Sequence, residues 1–231
     1  MHKLSKIRRM KRQNGFTLFE MLVTIAIIVL LAAAMIPSIS SIMKESGDSQ
    51  AYNMMTSALA TARARAIKTG VNCGVHVQMD MNSGIAYIGV IVEQSTTTHT
   101  FALADDVMPQ KVPANYAFGK IVSNQPPAPD TYNSSGFIGS VDLGYFTSFS
   151  VVFSPSGKLL TAHKVNLPDA GSVATNNLLW TASNENSISC MTMFYYPDLT
   201  NQSSANRGSY MNTNGQLLAI NSYTGQLLPR N

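Results

Sequence analysis

The chain has 231 residues, enough for one sizeable core without a second domain. Charged residues make up only 12% of it against 45% apolar ones, about half the charge of an ordinary soluble domain. That composition, filled out with Asn, Ser and Thr, argues against a cytosolic helical enzyme and for an exported, strand-rich domain. The sequence pI of about 9.1 suggests a nucleic-acid partner until the charge is located. Six of the 16 basic residues (Lys3, Lys6, Arg8, Arg9, Lys11, Arg12) precede Gly15, and without them ten face 12 acidic residues, a net charge of −2. The basicity belongs to the first residues, and nucleic acid is not an expected partner of the rest.

Residues 1–14 are short and basic, and Phe16 to Ile36 is apolar except for Thr17, Glu20 and Thr24. These 21 residues predict a helix of about 32 Å, enough to cross a hydrocarbon core of about 30 Å. The basic flank places residues 1–14 on the cytoplasmic side and the bulk of the chain outside. A cleaved secretory signal ending near Ala32-Ala33-Ala34 and a plain signal anchor both fit the basic and apolar runs. A twin-arginine signal at Arg8-Arg9 fits poorly, because Met10 and Lys11 follow. None of these accounts for Glu20, since a carboxylate inside a lipid-facing helix costs about 2.5–3.5 kcal/mol on insertion scales.

The stretch Gly15-Phe16-Thr17-Leu18-Phe19-Glu20-Met21-Leu22 resembles the processing site of type IV prepilins and type II secretion pseudopilins. The resemblance implies cleavage by a prepilin peptidase between Gly15 and Phe16, followed by N-methylation of Phe16. It places Glu20 fifth in the mature chain, the position of an assembly glutamate, and Pro37 where the family often has a proline. Phe19 departs from the usual aliphatic residue. A new α-amine at Phe16 beside an incoming subunit's Glu20 would neutralise two charges in low dielectric and favour one axial register. Pro37 removes a backbone donor and is expected either to kink the helix or to end the membrane span.

Beyond Pro37 the sequence stays helix-compatible through Lys68, with Tyr52, Met55, Leu59, Ala62 and Ala66 forming an apolar stripe. Arg63, Arg65 and Lys68 fall off the stripe and are expected on a solvated face. Gly47-Asp48 is a candidate interruption, and Gly70 a candidate cap. Val71, Cys73, Val75, Val77 and Met79 then alternate with Asn72, Gly74, His76, Gln78 and Asp80, a period-two strand that would leave His76 in solvent. Asn82-Ser83-Gly84 predicts a turn into a strand over 85–92, with further strands over 100–104, 146–153, 158–165, 188–195, 216–220 and 226–228. Residues 123–140 and 197–209 read as loops.

These elements predict an α+β, pilin-like chain: a leader over 1–15, a long helix over 16–70 with its transmembrane part at 16–36, and an antiparallel β-rich head over 71–231. Within the pilin superfamily, Leu59–Gly70 followed directly by a strand resembles the GspH/FimT group of minor pilins and pseudopilins. Shorter likenesses lie in Phe153-Ser154-Pro155-Ser156-Gly157 and Thr224-Gly225-Gln226-Leu227-Leu228. The resemblance implies a structural subunit whose partners are the prepilin peptidase, other pilin or pseudopilin subunits, an inner-membrane assembly platform and, before assembly, the lipid bilayer. The implied location is the bacterial inner membrane with the head in the periplasm, then a periplasmic or surface filament. The alternative is a minor pilin that binds DNA for uptake, but the C-terminal region offers only Arg207 and Arg230, with Lys158 and Lys164 elsewhere.

The sequence shows no sign of catalysis or a cofactor. His2, His76, His99 and His163 lack metal-ligand spacing, and neither a nucleophile elbow nor a phosphate-cradling glycine loop is present. Asp105-Asp106 is weak support for a calcium site and reads better as an exposed loop. Cys73 and Cys190 could close a long disulfide loop worth roughly 3–5 kcal/mol, or remain as buried thiols.

Overall fold

The computed structural model describes residues 16–80, 83–121, 146–168 and 183–229. It divides into two compact units, Met1–Glu45 and Ser46–Asn231. One helix, α1 (Leu18–Thr69), supplies the described part of the first unit and opens the second.

In the first unit the apolar side chains of α1 are exposed on every face: Leu18, Phe19, Leu22, Ile25, Ile28 and Leu31 among them. In the second unit one face of α1 is buried. Met55, Leu59, Ala62 and Ala66 are fully covered and Tyr52 partly, as their three- and four-residue spacing requires. Gly47 does not interrupt the helix. A Cβ there would lie 2.6 Å from a ring carbon of Tyr116, so the glycine admits that ring against the backbone. Gly70 ends the helix at φ 72, and its amide still donates to Ala66 O at 3.0 Å.

Two sheets follow. β1 (Cys73–Asp80), β2 (Ile85–Ser95), β3 (Thr100–Leu103), β4 (Gln110–Lys111), β6 (Phe149–Phe153), β7 (Leu159–Leu160), β8 (Lys164–Leu167) and β9 (Ser183–Asn186) form an eight-stranded sheet in the order β7-β6-β1-β2-β3-β8-β9, with β4 on β2. The second sheet has the order β12-β11-β10-β5, made by β5 (Tyr116–Lys120), β10 (Cys190–Tyr195), β11 (Gln216–Ile220) and β12 (Leu227–Pro229). Among the described residues pairing is antiparallel except between β3 and β8. Register fixes the main core face: Val75 lies between Val90 and Val151, and Val77 between Ile88 and Phe149. These side chains meet α1 and the second sheet in one cluster.

The opposite face of β1 is buried as well, which corrects the alternation reading. Ile91, Phe101, Val152, Val165 and Leu167 form a second cluster there. The large sheet curls until the chain after β9 returns to β6. Ile188 N donates to Ser150 O at 2.9 Å, and Ser187 Oγ accepts from Val152 N at 2.9 Å. The strand expected over 158–165 is broken into β7 and β8 by a turn in which Ala162 has φ 57. The loop expected over 197–209 instead carries two short helices, α2 (Tyr196–Thr200) and α3 (Arg207–Asn214), the first with proline in its opening turn. Residues 123–140 lie outside the described residues.

Candidate functional site

Gly15 lies outside the described residues, so the site is visible from Phe16 onward. Phe16 is exposed, and Thr17 caps α1. Glu20 N donates to Thr17 Oγ1 at 3.2 Å, while Thr17 N and Oγ1 each lie 3.4 Å from Glu20 Oε2. This reciprocal pattern is a capping box, satisfying two amides that the helix start leaves without partners. Its signal, a threonine three residues before a glutamate at the head of an apolar run, was legible in Thr17-Leu18-Phe19-Glu20. Its bonds are long and exposed, so the carboxylate is oriented toward the helix start without being enclosed. Inside the apolar stretch Thr24 Oγ1 satisfies itself locally, donating to Met21 O at 2.9 Å.

Among the described residues no helix is long and apolar enough to cross a membrane. Described side chains within α1 stop at Ala34 and resume at Ile42, so the apolar run read over 16–36 is covered only to Ala34. Pro37 lies within the helical span of α1.

Arg63 and Arg65 were expected on a solvated face, yet both are half-buried and tie the helix to loops of the second unit. Arg63 Nε donates to Gly157 O at 2.8 Å and its Nη2 to Tyr223 O at 3.0 Å. Arg65 pairs with Asp106 at 2.5 Å, and that contact holds the Asp106 carboxyl below the usual carboxylate range. Asp106 is thus engaged by a cation, while Asp105 and Asp106 both sit on an exposed loop.

His76 was expected in solvent and is fully buried. Its β1 register sets it between Gly89 and Ser150, whose small side chains leave room for the ring, and Nδ1 lies 2.8 Å from Ser150 Oγ. Burial pushes its pKa down to about 4, with a smaller contribution from Lys120. Lys120 on β5 pairs with Glu185 on β9 at 2.7 Å, a nearly buried ion pair joining the two sheets. Cys73 and Cys190 are not bonded to each other in this structure. They open strands in different sheets, β1 and β10, and burial pushes the Cys73 thiol pKa up.

The four histidines looked unrelated in sequence, yet the fold gathers two of them. Glu93, His99 and His163 each present one ligand-type atom, and these lie within 4.8 Å of one another. The residues come from the end of β2, the turn after it and the turn before β8, a juxtaposition that no local spacing encodes. Of the cations weighed for DNA contact, Arg207 is half-buried, Lys158 lies over the Tyr223 ring at 5.8 Å, and Arg230 is outside the described residues.

Residues 10–36 match the prokaryotic N-terminal methylation motif. The match spans Lys11 and Arg12, the Gly15-Phe16 junction, Glu20 and the apolar run. It supports a type IV pilin-like or pseudopilin-like subunit, a structural role rather than an enzyme, with processing by a prepilin peptidase and assembly with other pilins. The helix followed by a mostly antiparallel β region is consistent with a pilin-like fold. No curated protein and no solved structure matches the chain.

Proposed function

We propose that this chain is a minor pilin or H-type pseudopilin, a structural subunit of a type IV pilus or of a type II secretion pseudopilus, of the GspH/FimT kind. A prepilin peptidase removes residues 1–15 and Phe16 becomes the methylated N-terminus. The subunit waits in the inner membrane as a single-pass protein with its β-rich part in the periplasm. An assembly platform then transfers it to the filament. Pro37 bends the helix where it leaves the apolar environment.

The observation that carries this reading is the methylation motif in register with a helix that starts at Leu18 and exposes its apolar side chains. Such a surface needs lipid or neighbouring helices to cover it. The capping box adds a physical detail. Glu20 stabilises the start of its own helix before assembly, and its weakly held carboxylate can exchange Thr17 for the α-amine of a neighbour. A buried charge pair forms only in the correct register, because a lone carboxylate there is heavily penalised.

The test is Glu20→Ala, scored for processing and for incorporation into sheared filaments. The expected result is normal cleavage with loss of incorporation. Incorporation at the normal level would contradict the assembly role.

A further inference from the structure

Glu93, His99 and His163 are built as a site rather than scattered. The β2–β3 pairing shifts register between Glu93 and Ser95, a bulge that turns Glu93 inward until its side chain is 1% exposed. Asn72 Nδ2 donates to Glu93 Oε2 at 2.6 Å, which leaves Oε1 facing the two imidazoles. His99 Nδ1 lies 3.0 Å from Oε1 and His163 Nε2 lies 3.5 Å from it. His163 Nε2 is buried and makes no hydrogen bond among the described residues. A buried polar atom aimed at a carboxylate without bonding it is what a bridging ion would resolve.

The backbone around both rings is held independently of them. His99 has φ 49, a left-handed conformation that costs a non-glycine residue and persists where its surroundings impose it. Its carbonyl accepts from Asn166 N at 2.9 Å, and the His163 carbonyl accepts from Ser187 N at 2.8 Å. The His99 and His163 rings meet edge to face at 4.7 Å, with Phe101 edge-on to His163 at 6.1 Å.

We propose that Glu93, His99 and His163 bind one divalent transition-metal ion of the zinc class. Zinc takes imidazole nitrogen and carboxylate oxygen at about 2.0–2.2 Å, and tetrahedral ligands at that distance stand roughly 3.3 Å apart. The separations of 3.0 and 3.5 Å from Oε1 bracket that value. Two imidazoles disfavour calcium and magnesium, which take oxygen ligands. Asn72 orients the carboxylate from behind, as partners of metal-bound carboxylates do. Three protein ligands leave a fourth position on the side of His99, the most exposed of the three, for water. The ion would join β2, the turn after it and the turn before β8, closing the curled sheet at its rim.

The test uses the full-length chain in detergent, purified without a polyhistidine tag, stripped with a chelator and titrated with zinc chloride. One zinc per chain should survive gel filtration and raise the melting temperature, and calcium chloride should do neither. Asn72→Ala should weaken zinc binding by about 10–100-fold, and His99→Ala with His163→Ala should abolish it. X-ray absorption at the zinc edge of the unmodified chain should show two imidazole ligands, a readout independent of whether the variants fold. No stoichiometric zinc, a preference for calcium, retention by the double variant, or an edge spectrum without imidazole scattering would each overturn the proposal.

Discussion

Phe19 and Phe153 are the same side chain in opposite circumstances: the first is 74% exposed in the N-terminal unit, the second 0% exposed in the β-rich unit. Phe153 is satisfied by its own chain, opposite Cys73 in the sheet and inside the main cluster. Phe19 and the apolar residues after it are left for something else to cover. The second unit completes its core alone, whereas the N-terminal unit displays a surface whose burial must come from outside the chain. This division of labour suits a subunit that folds once and then polymerises.

The comparison breaks most visibly under truncation of these two rings. Phe153→Ala should cost about 3–5 kcal/mol of stability in the second unit, read as a lowered denaturation midpoint. Phe19→Ala should leave that midpoint unchanged and reduce incorporation into filaments. Equal effects of both changes on the midpoint would remove the distinction.

The next largest effect concerns the second buried face. His76 is held neutral in the fold with a pKa of about 4 against an ordinary 6.5. The unfolded chain therefore binds the proton first as pH falls. Its contribution to stability is complete above pH 6.5 and is lost as pH drops toward about 4, a loss on the order of 3 kcal/mol. Denaturant melts over that range should show the decline, and His76→Gln should flatten it. A wild-type profile no steeper than that of the variant would mean that the ring is not buried neutral.

Arg63→Ala should give the smallest effect, about 1–2 kcal/mol, from the loss of two charged hydrogen bonds to Gly157 O and Tyr223 O. An unchanged denaturation midpoint would show that these two bonds do not help to hold α1 in the second unit.

Local patterns made part of this legible. The 3.6-residue stripe gave the buried face of α1, and period-two alternation gave β1 with its main core side. The Gly-Phe-Thr-Leu-Phe-Glu register carries the motif that residues 10–36 match, and the same stretch holds the capping box of Thr17 and Glu20. What stayed hidden depends on contacts distant in sequence. His76 reads as a polar-face residue until the sheet curls over it. Arg63 reads as solvated until two glycine-containing turns, about 94 and 160 residues away, present carbonyls to it. The short strand β9, Ser-Asn-Glu-Asn, has no strand-like composition, and its pairing with β8 is imposed by tertiary context. His99 and His163 meet through left-handed turns that sequence spacing does not announce.

The central claim is that the N-terminal helix is a processed assembly element. The most direct measurement is the intact mass and N-terminal sequence of the chain recovered from membranes or filaments. The account predicts a mature chain that begins at Phe16 and carries one methyl group on its α-amine. A start near Met35, after Ala32-Ala33-Ala34, or an unprocessed N-terminus in the assembled form, would contradict it.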